Sequence, residues 1–316
     1  MTNARPPLNL GLFAGIRAGW RSFNWMAQIV IPISLLVALL QWSGWLDRID
    51  VMLAPLMGFL RLPPEAALPI ITGMLVNIYA VLASITVIPF SFPQMTLIAI
   101  FSLIAHNLIL EGIVQHRSGI NVFKMTLVRI AAAIVTVFVV SRFFEGTSMS
   151  VELPAGLAPH SPFMDSLKVW ASGTGILLLR EFAIIMLIMV LLEVSKAMGW
   201  INVVQRAFAP IMRVFGLADR ATMMFVAGIL FGLLYGGAII VEEARNGHVS
   251  RDDAEYLHIS LGINHGVIED PALFAALGLN PLWLLIPRFI TAILAIQLLR
   301  GAKRLCATKN RDSSTA

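Results

Sequence analysis

The sequence predicts an all-α integral membrane protein made of two inverted structural repeats. Each repeat is expected to hold spanning helices, an interfacial amphipathic helix and a broken or re-entrant hairpin segment. The 316 residues are 58% hydrophobic and 13% charged, with a mean hydropathy of +0.83, whereas soluble domains have about 25% charged residues. Part of the first half recurs in the second half, and basic residues gather at both ends of the chain.

The recurrence relates residues 43–73 to residues 198–228, with a constant difference of 155 in residue number and no gap. The identical pairs are Gly44/Gly199, Trp45/Trp200, Ala54/Ala209, Pro55/Pro210, Met57/Met212, Leu62/Leu217, Ala66/Ala221 and Gly73/Gly228. A histidine and an arginine also stand 23 residues apart in each half, as His106 with Arg129 and as His265 with Arg288. A long-period repeat in an apolar chain is typical of pseudosymmetric membrane proteins, including many transporters.

The first repeat is predicted to occupy residues 24–142, after an N-terminus formed by residues 1–23. Its expected elements are a spanning helix over 24–44, an amphipathic helix over 45–61, an interrupted apolar segment over 65–92, and spanning helices over 94–115 and 121–142. The amphipathic helix carries charges among apolar residues at helical spacing, so it is expected to lie in the membrane interface.

The second repeat is predicted over residues 176–300, between a linker at 143–175 and a basic tail at 301–316. Its expected elements are a helix over 178–197, an amphipathic segment over 199–215, a glycine-interrupted segment over 220–241, a charged loop over 242–255, a helical segment over 256–277 and a last helix over 282–300. The order of elements therefore matches that of the first repeat.

The charges predict the orientation in the bilayer. Both ends of the chain are basic, and the linker is mainly acidic, so the positive-inside rule places both termini in the cytoplasm and the linker outside. Each repeat then crosses the membrane an odd number of times. This requires 65–92 and 220–241 to return to the side from which they enter, as re-entrant hairpins; a kinked full span is the alternative.

Two polar clusters interrupt the apolar segments. They are His106, Asn107 and Glu111 in the first repeat and Asn264, His265, Glu269 and Asp270 in the second. A charge in hydrocarbon costs about 2.5–3.5 kcal/mol or more, so such residues face a cavity or a partner. One interpretation is a substrate or ion site between the repeats; the other is structural pairing with Arg129 and Arg288. The two interpretations can coexist.

Further candidate binding groups lie in the interrupted segments. Asn77, Tyr235 and Gly236 are candidate hairpin-tip residues, and Glu242 ends the second segment, where a solvated helix end is the simpler interpretation. His265, Glu269 and Asp270 have side chains that suit a divalent first-row ion, but a histidine and a glutamate four residues apart are common by chance, and no metal site is predicted.

No enzymatic activity and no cofactor are predicted. The sequence has no phosphate-binding GxxxxGK[ST] motif, no nucleophile in a catalytic context, and a single cysteine, Cys306. Basic residues at the ends are explained by orientation in the bilayer, so lipid is an expected partner and nucleic acid is not.

The second half also carries a resemblance to a known family. Residues 228–245 contain a Tyr-Gly-Gly stretch followed by Glu-Glu, and residues 261–274 contain a His-x-x-x-Glu-Asp element. These motifs resemble the nucleoside-recognition, or Gate, family. That family includes spore maturation proteins A and B and is similar to parts of concentrative nucleoside transporters and of ferrous-iron transporter B. The resemblance implies inverted repeats with hairpin-like elements.

Two functions follow as hypotheses. The first is a secondary transporter or permease in the bacterial inner membrane, which moves a small polar solute (nucleoside-like or an ion) through a site between the repeats. The second is a non-transporting scaffold, or a subunit that assembles with another copy or with a second Gate-type protein. The solute and the coupling ion are not predicted.

Overall fold

A computed structural model describes residues 8–45, 54–145, 162–200 and 250–313, together with 203, 224–225, 228–229 and 241. These residues form helices joined by short turns and contain no strand. The α-helices are α1 (Leu8–Trp42), α2 (Ala67–Leu75), α3 (Ile78–Ile85), α4 (Phe92–Ala105), α5 (Leu108–Arg117), α6 (Val122–Ser141), α7 (Phe163–Ala197), α8 (Arg251–Asn264), α9 (Glu269–Ala276) and α10 (Pro281–Ser313). Short 3₁₀ turns cover Pro64–Ala66 and Arg142–Phe144.

Within the described part of the chain, five stretches are long and apolar enough to cross a membrane. They are Asn9–Trp42, Phe92–Arg117, Val122–Phe144, Phe163–Ala197 and Pro281–Leu305. Phe92–Arg117, which contains α4 and α5, is the most enclosed of the five, while most residues of the other four are only partly buried or exposed. An exposed apolar surface of this extent suits contact with lipid, so the chain is an all-helical membrane protein.

The longest helices, α1 and α7, pack side by side and run antiparallel. Gly11 near the start of α1 faces Ala197 at the end of α7, and the Trp42 and Phe163 rings at the other end lie 5.2 Å apart. Both helices have 35 residues, or about 52 Å at 1.5 Å per residue. They therefore extend beyond the roughly 30 Å hydrocarbon core.

The predicted helix limits were too short at three places. α1 starts inside the segment expected as the N-terminus, α7 starts inside the predicted linker 143–175, and α10 continues into the predicted tail. The helix limits were predicted from the apolar stretches of the sequence, and these cover only the part of each helix that suits hydrocarbon. Packing between α1 and α7 supports helix beyond that window, since tertiary contact outweighs local polarity.

Glycines at a four-residue spacing allow α1 to approach α7 closely. Gly11, Gly15 and Gly19 all lie on the face of α1 that meets α7, and a Cβ built on Gly15 would lie 2.6 Å from the Val190 Cα. Small residues at this spacing let helix backbones come together in membranes, where van der Waals packing is a main source of association.

Replacing Gly15 with alanine should therefore destabilise the protein, by about 1–3 kcal/mol, because the new methyl group collides with backbone. Gly175 on α7 is the matched control, since a Cβ there meets nothing within 4 Å and alanine suits a helix better than glycine by about 1 kcal/mol. Thermal unfolding in detergent should show a lower Tm for Gly15→Ala and an unchanged or higher Tm for Gly175→Ala. Equal effects of both changes would contradict this account of the α1–α7 contact.

The break expected within 65–92 lies between α2 and α3. The Asn77 backbone is extended there, and its side-chain oxygen accepts hydrogen bonds from the Tyr79 and Ala80 amides at 3.0 and 3.2 Å. Asn77 thus acts as an N-cap that starts α3. Most of the corresponding segment 220–241 lies outside the described residues, as do 46–53 and most of 199–215. Of the amphipathic helix predicted over 45–61, residues 54–59 are helical.

Charged clusters mark the two ends of the bundle. At one end Arg61 Nη1 lies 2.5 Å from Glu145 Oε1, and hydrogen bonds from Arg61 and then Arg142 hold the pKa of Glu145 below its usual value. At the other end Lys124 and Lys303 form ion pairs with Glu255. Lys124 and Arg142 stand at opposite ends of α6, so the two clusters lie on opposite sides of the apolar layer.

Candidate functional site

The site begins where α4 ends in the middle of an apolar segment. His106 has an extended backbone (φ −83°, ψ 167°), and Asn107 adopts the left-handed conformation with φ 55°. Asn is one of the few residues besides glycine that adopts this region readily. The chain then resumes as α5. The spanning segment predicted over 94–115 thus corresponds to Phe92–Arg117, which a single left-handed residue divides into two helices.

A matching break separates α8 from α9. His265 is extended (φ −67°, ψ 163°), and Gly266 follows with φ 60°. Here glycine supplies the left-handed conformation that Asn107 supplies in the first half. The helical segment predicted over 256–277 is thus two helices. The two histidines differ by 159 in residue number. The same difference relates the start and end of α4 (92 and 105) to the start and end of α8, and the start of α6 (122) to the start of α10.

Arg129 on α6 stabilises the first break. Its Nε donates to the Ile104 carbonyl and its Nη2 to the His106 carbonyl, both at 2.9 Å. Its Nη1 lies 2.7 Å from Glu111 Oε2. Carbonyls at a helix end have no partner within the helix, so the guanidinium satisfies groups that the break would otherwise leave bare.

Arg288 on α10 does the same at the second break. Its Nε donates to the Ile263 carbonyl and its Nη2 to the His265 carbonyl, again at 2.9 Å. Asp270 attracts it electrostatically, but Arg288 Nη1 has no hydrogen-bond partner among the described residues. The predicted structural pairing of Arg129 and Arg288 is thus only partly with acids; both arginines bind backbone carbonyls.

His106 and His265 meet between the two halves. Their Nε2 atoms lie 3.0 Å apart and their ring centroids 4.6 Å apart. Each ring is anchored by Nδ1, which lies 2.9 Å from the Ser102 carbonyl in His106 and from the Leu261 carbonyl in His265. A carbonyl oxygen can only accept, so both Nδ1 atoms carry a proton.

Two carboxylates flank the histidine pair crosswise. Glu111 Oε1 lies 3.6 Å from His265 Nε2, and Asp270 Oδ2 lies 3.9 Å from His106 Nε2. Each acid thus approaches the histidine of the opposite half. The ligand atoms of His106, His265 and Asp270 lie within 4.8 Å of one another, a spacing that could hold a metal ion. This set contains His106 in place of Glu269, which the sequence groups with His265 and Asp270.

Several buried polar atoms of the cluster have no hydrogen-bond partner among the described residues. They are Glu111 Oε1, Asn264 Nδ2 and Oδ1, Asp270 Oδ2, Arg288 Nη1 and both carboxyl oxygens of Glu181. Nearly all buried polar atoms in proteins are paired with protein or ordered water. A cluster of unpaired ones therefore indicates a place where water or a ligand binds.

Glu269 lies beside this cluster and contacts a different partner. Its Oε1 accepts a hydrogen bond from the Tyr79 hydroxyl at 2.8 Å, and the Tyr79 ring makes an edge contact with Trp25 on α1 at 5.6 Å. This bond joins α3 of the first half to α9 of the second.

Sequence reasoning missed Glu181. Its side chain has no exposed surface, and it is near enough to Tyr79 to act on it electrostatically. The predicted helix started at residue 178, which placed Glu181 at a membrane surface, whereas α7 starts at Phe163 and places it mid-helix. A lone acid deep in an apolar helix is the signal that a correct helix limit would have revealed.

The remaining predicted site residues have other positions. Asn77 caps α3, and Asn107 forms the break and donates its backbone N–H to the Gly73 carbonyl at 2.9 Å. Tyr235, Gly236 and Glu242 lie outside the described residues. The structure therefore brings together His106, Glu111, Asn264, His265, Glu269 and Asp270 of the predicted set.

Comparison with known proteins agrees with the membrane assignment. Uncharacterized membrane protein YvoD of Bacillus subtilis (strain 168) is 29% identical over 285 residues, which cover 89% of this chain and 91% of that protein. No solved structure matches this chain.

Residues 23–145 match the family Gate, described as nucleoside recognition. The matched stretch contains α2 to α6 and therefore His106, Glu111 and Arg129. The motifs that suggested the family in the sequence lie in the second half, and the second half repeats the break, the histidine and the arginine of the first. Residues 23–145 of this membrane protein are therefore similar to the Gate family, which confirms the resemblance.

Proposed function

We propose that the protein is a secondary transporter for a small polar solute, nucleoside-like or an ion, with its binding site between two inverted repeats. The observation that carries this proposal is the cluster of unpaired buried polar atoms at the two helix breaks. Broken helices at membrane depth are tolerated where they line a cavity, and many transporters bind their substrate at such breaks.

The arrangement of the helices supports inverted repeats. α1 and α7 have the same length, differ by 155 at both ends in residue number, and run antiparallel. Two equivalent helices that point in opposite directions are what an inverted repeat requires. The shared break-and-arginine pattern of α4–α6 and α8–α10 extends the correspondence along the chain.

The contacts across the site suit a moving interface. The histidine pair and the Tyr79–Glu269 bond join the halves through single polar contacts, whereas the arginines bind within their own halves. Breaking these two contacts would open the site while α1 and α7 stay packed together, and a change of this kind at the site is what alternating access requires. A driving ion or proton would be carried by the carboxylates of the same cluster.

We further propose that both termini face the cytoplasm of an inner-membrane protein. The cluster with Lys124 and Lys303 then lies inside and the cluster with Arg61 and Glu145 outside. The basic residues near both ends of the chain support this orientation by the positive-inside rule. Single cysteines at Ser150 and Ser313, with Cys306 replaced, should react differently with an impermeant thiol reagent in intact cells: Ser150→Cys reacts and Ser313→Cys does not. The reverse pattern contradicts the orientation, and equal labelling contradicts the inverted repeats.

Uptake by the purified protein in liposomes tests the proposal. Labelled nucleosides and divalent metal ions would be offered separately, with and without an inward proton or sodium gradient, against protein-free liposomes. Gradient-dependent accumulation of one class is expected. If neither class accumulates while the protein remains folded, the transporter proposal fails and the hypothesis of a non-transporting subunit, paired with another copy or a second Gate-type protein, is favoured.

A further inference from the structure

We propose that His106, His265, Asp270 and Glu111 form a binding site for one divalent first-row transition metal ion between the two halves. The inference rests on the site of the proposed function, but it concerns binding and does not require transport.

The histidine pair needs a cation between its rings. Both Nδ1 atoms donate to carbonyl oxygens, so each neutral ring leaves a lone pair on Nε2. These two Nε2 atoms face each other at 3.0 Å. Two lone pairs at that distance repel unless a proton or a metal ion lies between them.

The surrounding oxygens favour a metal ion over a shared proton. A proton between two nitrogens needs no further ligand, yet Asp270 Oδ2 and Glu111 Oε1 both approach the pair and have no hydrogen-bond partner among the described residues. The Glu111 side chain is 1% exposed and the Asp270 side chain 12% exposed. Two imidazoles and one or two carboxylates form a common ligand set for Zn²⁺ and its neighbours.

The distances require only small side-chain movements. Zn–N bonds of about 2.0–2.1 Å in a tetrahedral site place two nitrogens about 3.3 Å apart, against the 3.0 Å observed. The histidines also carry the usual outer support of a metal ligand, because each donates its other ring nitrogen to a backbone carbonyl. That support fixes both rings with Nε2 directed at the proposed ion.

The charge of the cluster also favours a cation. The described site contains the carboxyl groups of Glu111, Glu269 and Asp270 and the guanidinium groups of Arg129 and Arg288, and the Glu181 carboxyl acts electrostatically on Tyr79 beside it. Both guanidiniums direct Nε and Nη2 at backbone carbonyls of the helix breaks. The carboxyl groups outnumber the guanidiniums, and the excess acid can balance an added divalent ion.

Metal binding to the purified full-length protein in detergent tests this inference. Co²⁺ would be titrated and followed by its visible absorption, and Zn²⁺ would be added in competition. One Co²⁺ per chain with a tetrahedral-type spectrum, displaced by Zn²⁺, is expected. Chelation should lower the Tm, and added Zn²⁺ should restore it, a readout that needs no variant.

Variants identify the ligands. His265→Gln should weaken binding by at least about 100-fold, since even changes outside the ligand shell cost 10–100-fold. Asp270→Asn should weaken it while the histidine pair stays intact. His116→Gln, at an exposed position, is the control and should bind as the wild type does.

Absence of Co²⁺ and Zn²⁺ binding by the wild type, or unchanged binding by His265→Gln, would overturn the inference and leave a proton between the rings. Binding and uptake can fail separately. Metal binding without uptake of any solute would support the metal site and contradict the transporter proposal. Uptake of a nucleoside without metal binding would support the transporter proposal and contradict the metal site.

Discussion

Replacing Arg129 with methionine is expected to lower the free energy of unfolding by about 3–5 kcal/mol, the usual cost of removing one partner from a buried ion pair. The change leaves the Glu111 carboxylate buried without its 2.7 Å partner. It also removes the donors to the Ile104 and His106 carbonyls, so the break between α4 and α5 loses its cap. Thermal or denaturant unfolding in detergent would measure the loss.

Two companion variants make this test specific. Arg129→Lys keeps the charge but cannot place several donors at fixed angles, so it should recover only part of the stability. Arg142→Met removes an exposed arginine just beyond the same helix, where its pair with Glu145 is solvated, and should change stability by less than about 1 kcal/mol. Similar losses in Arg129→Met and Arg142→Met would contradict the role of Arg129 at the break.

Replacing Glu269 with glutamine is expected to reduce uptake by about tenfold to hundredfold while leaving folded protein in the membrane. Glutamine can still accept a hydrogen bond from the Tyr79 hydroxyl, which now lies 2.8 Å from Oε1, but it cannot carry a proton or a negative charge. This tenfold to hundredfold reduction corresponds to roughly 1.5–3 kcal/mol, which is the usual contribution of a hydrogen bond to a charged group. Initial uptake rates in liposomes, normalised to reconstituted protein, measure it.

Glu193→Gln is the matched control, since Glu193 on α7 forms an ion pair with Lys196 near the helix end and lies away from the site. Full activity of Glu269→Gln would show that this carboxyl is neither a proton carrier nor a substrate contact. A lower Tm with unchanged uptake per folded protein would assign Glu269 to structural pairing with Tyr79 instead.

The sequence predicted the order of helices better than their limits. Hydropathy and the repeat led to an all-helical membrane protein, and Asn77 lies at the break expected within 65–92. The breaks at His106 and His265 were not predicted, because they require one left-handed residue and leave no gap in the apolar pattern. The full lengths of α1 and α7 depend on their mutual packing, which periodicity in one segment cannot reveal.

The candidate site was predicted as two separate lists of polar residues. The cost of burying charge singled out His106, Glu111, His265 and Asp270, and the structure brings these four together. Sequence spacing could not predict that the two histidines face each other or that the arginines bind carbonyls, since both depend on contacts over more than 20 residues.

Access to the cluster between the two breaks tests the central claim most directly. A cysteine would replace Asn264, with Cys306 replaced by serine, and an impermeant thiol reagent would be applied to right-side-out and to inside-out vesicles. Asn264 is 1% exposed and its amide atoms are unpaired among the described residues. Ala99→Cys, in the apolar interior of α4, is the unreactive control. The account predicts that Asn264→Cys reacts from both sides, because alternating access opens the site to each in turn; a cysteine as unreactive as the Ala99 control from both sides would contradict it.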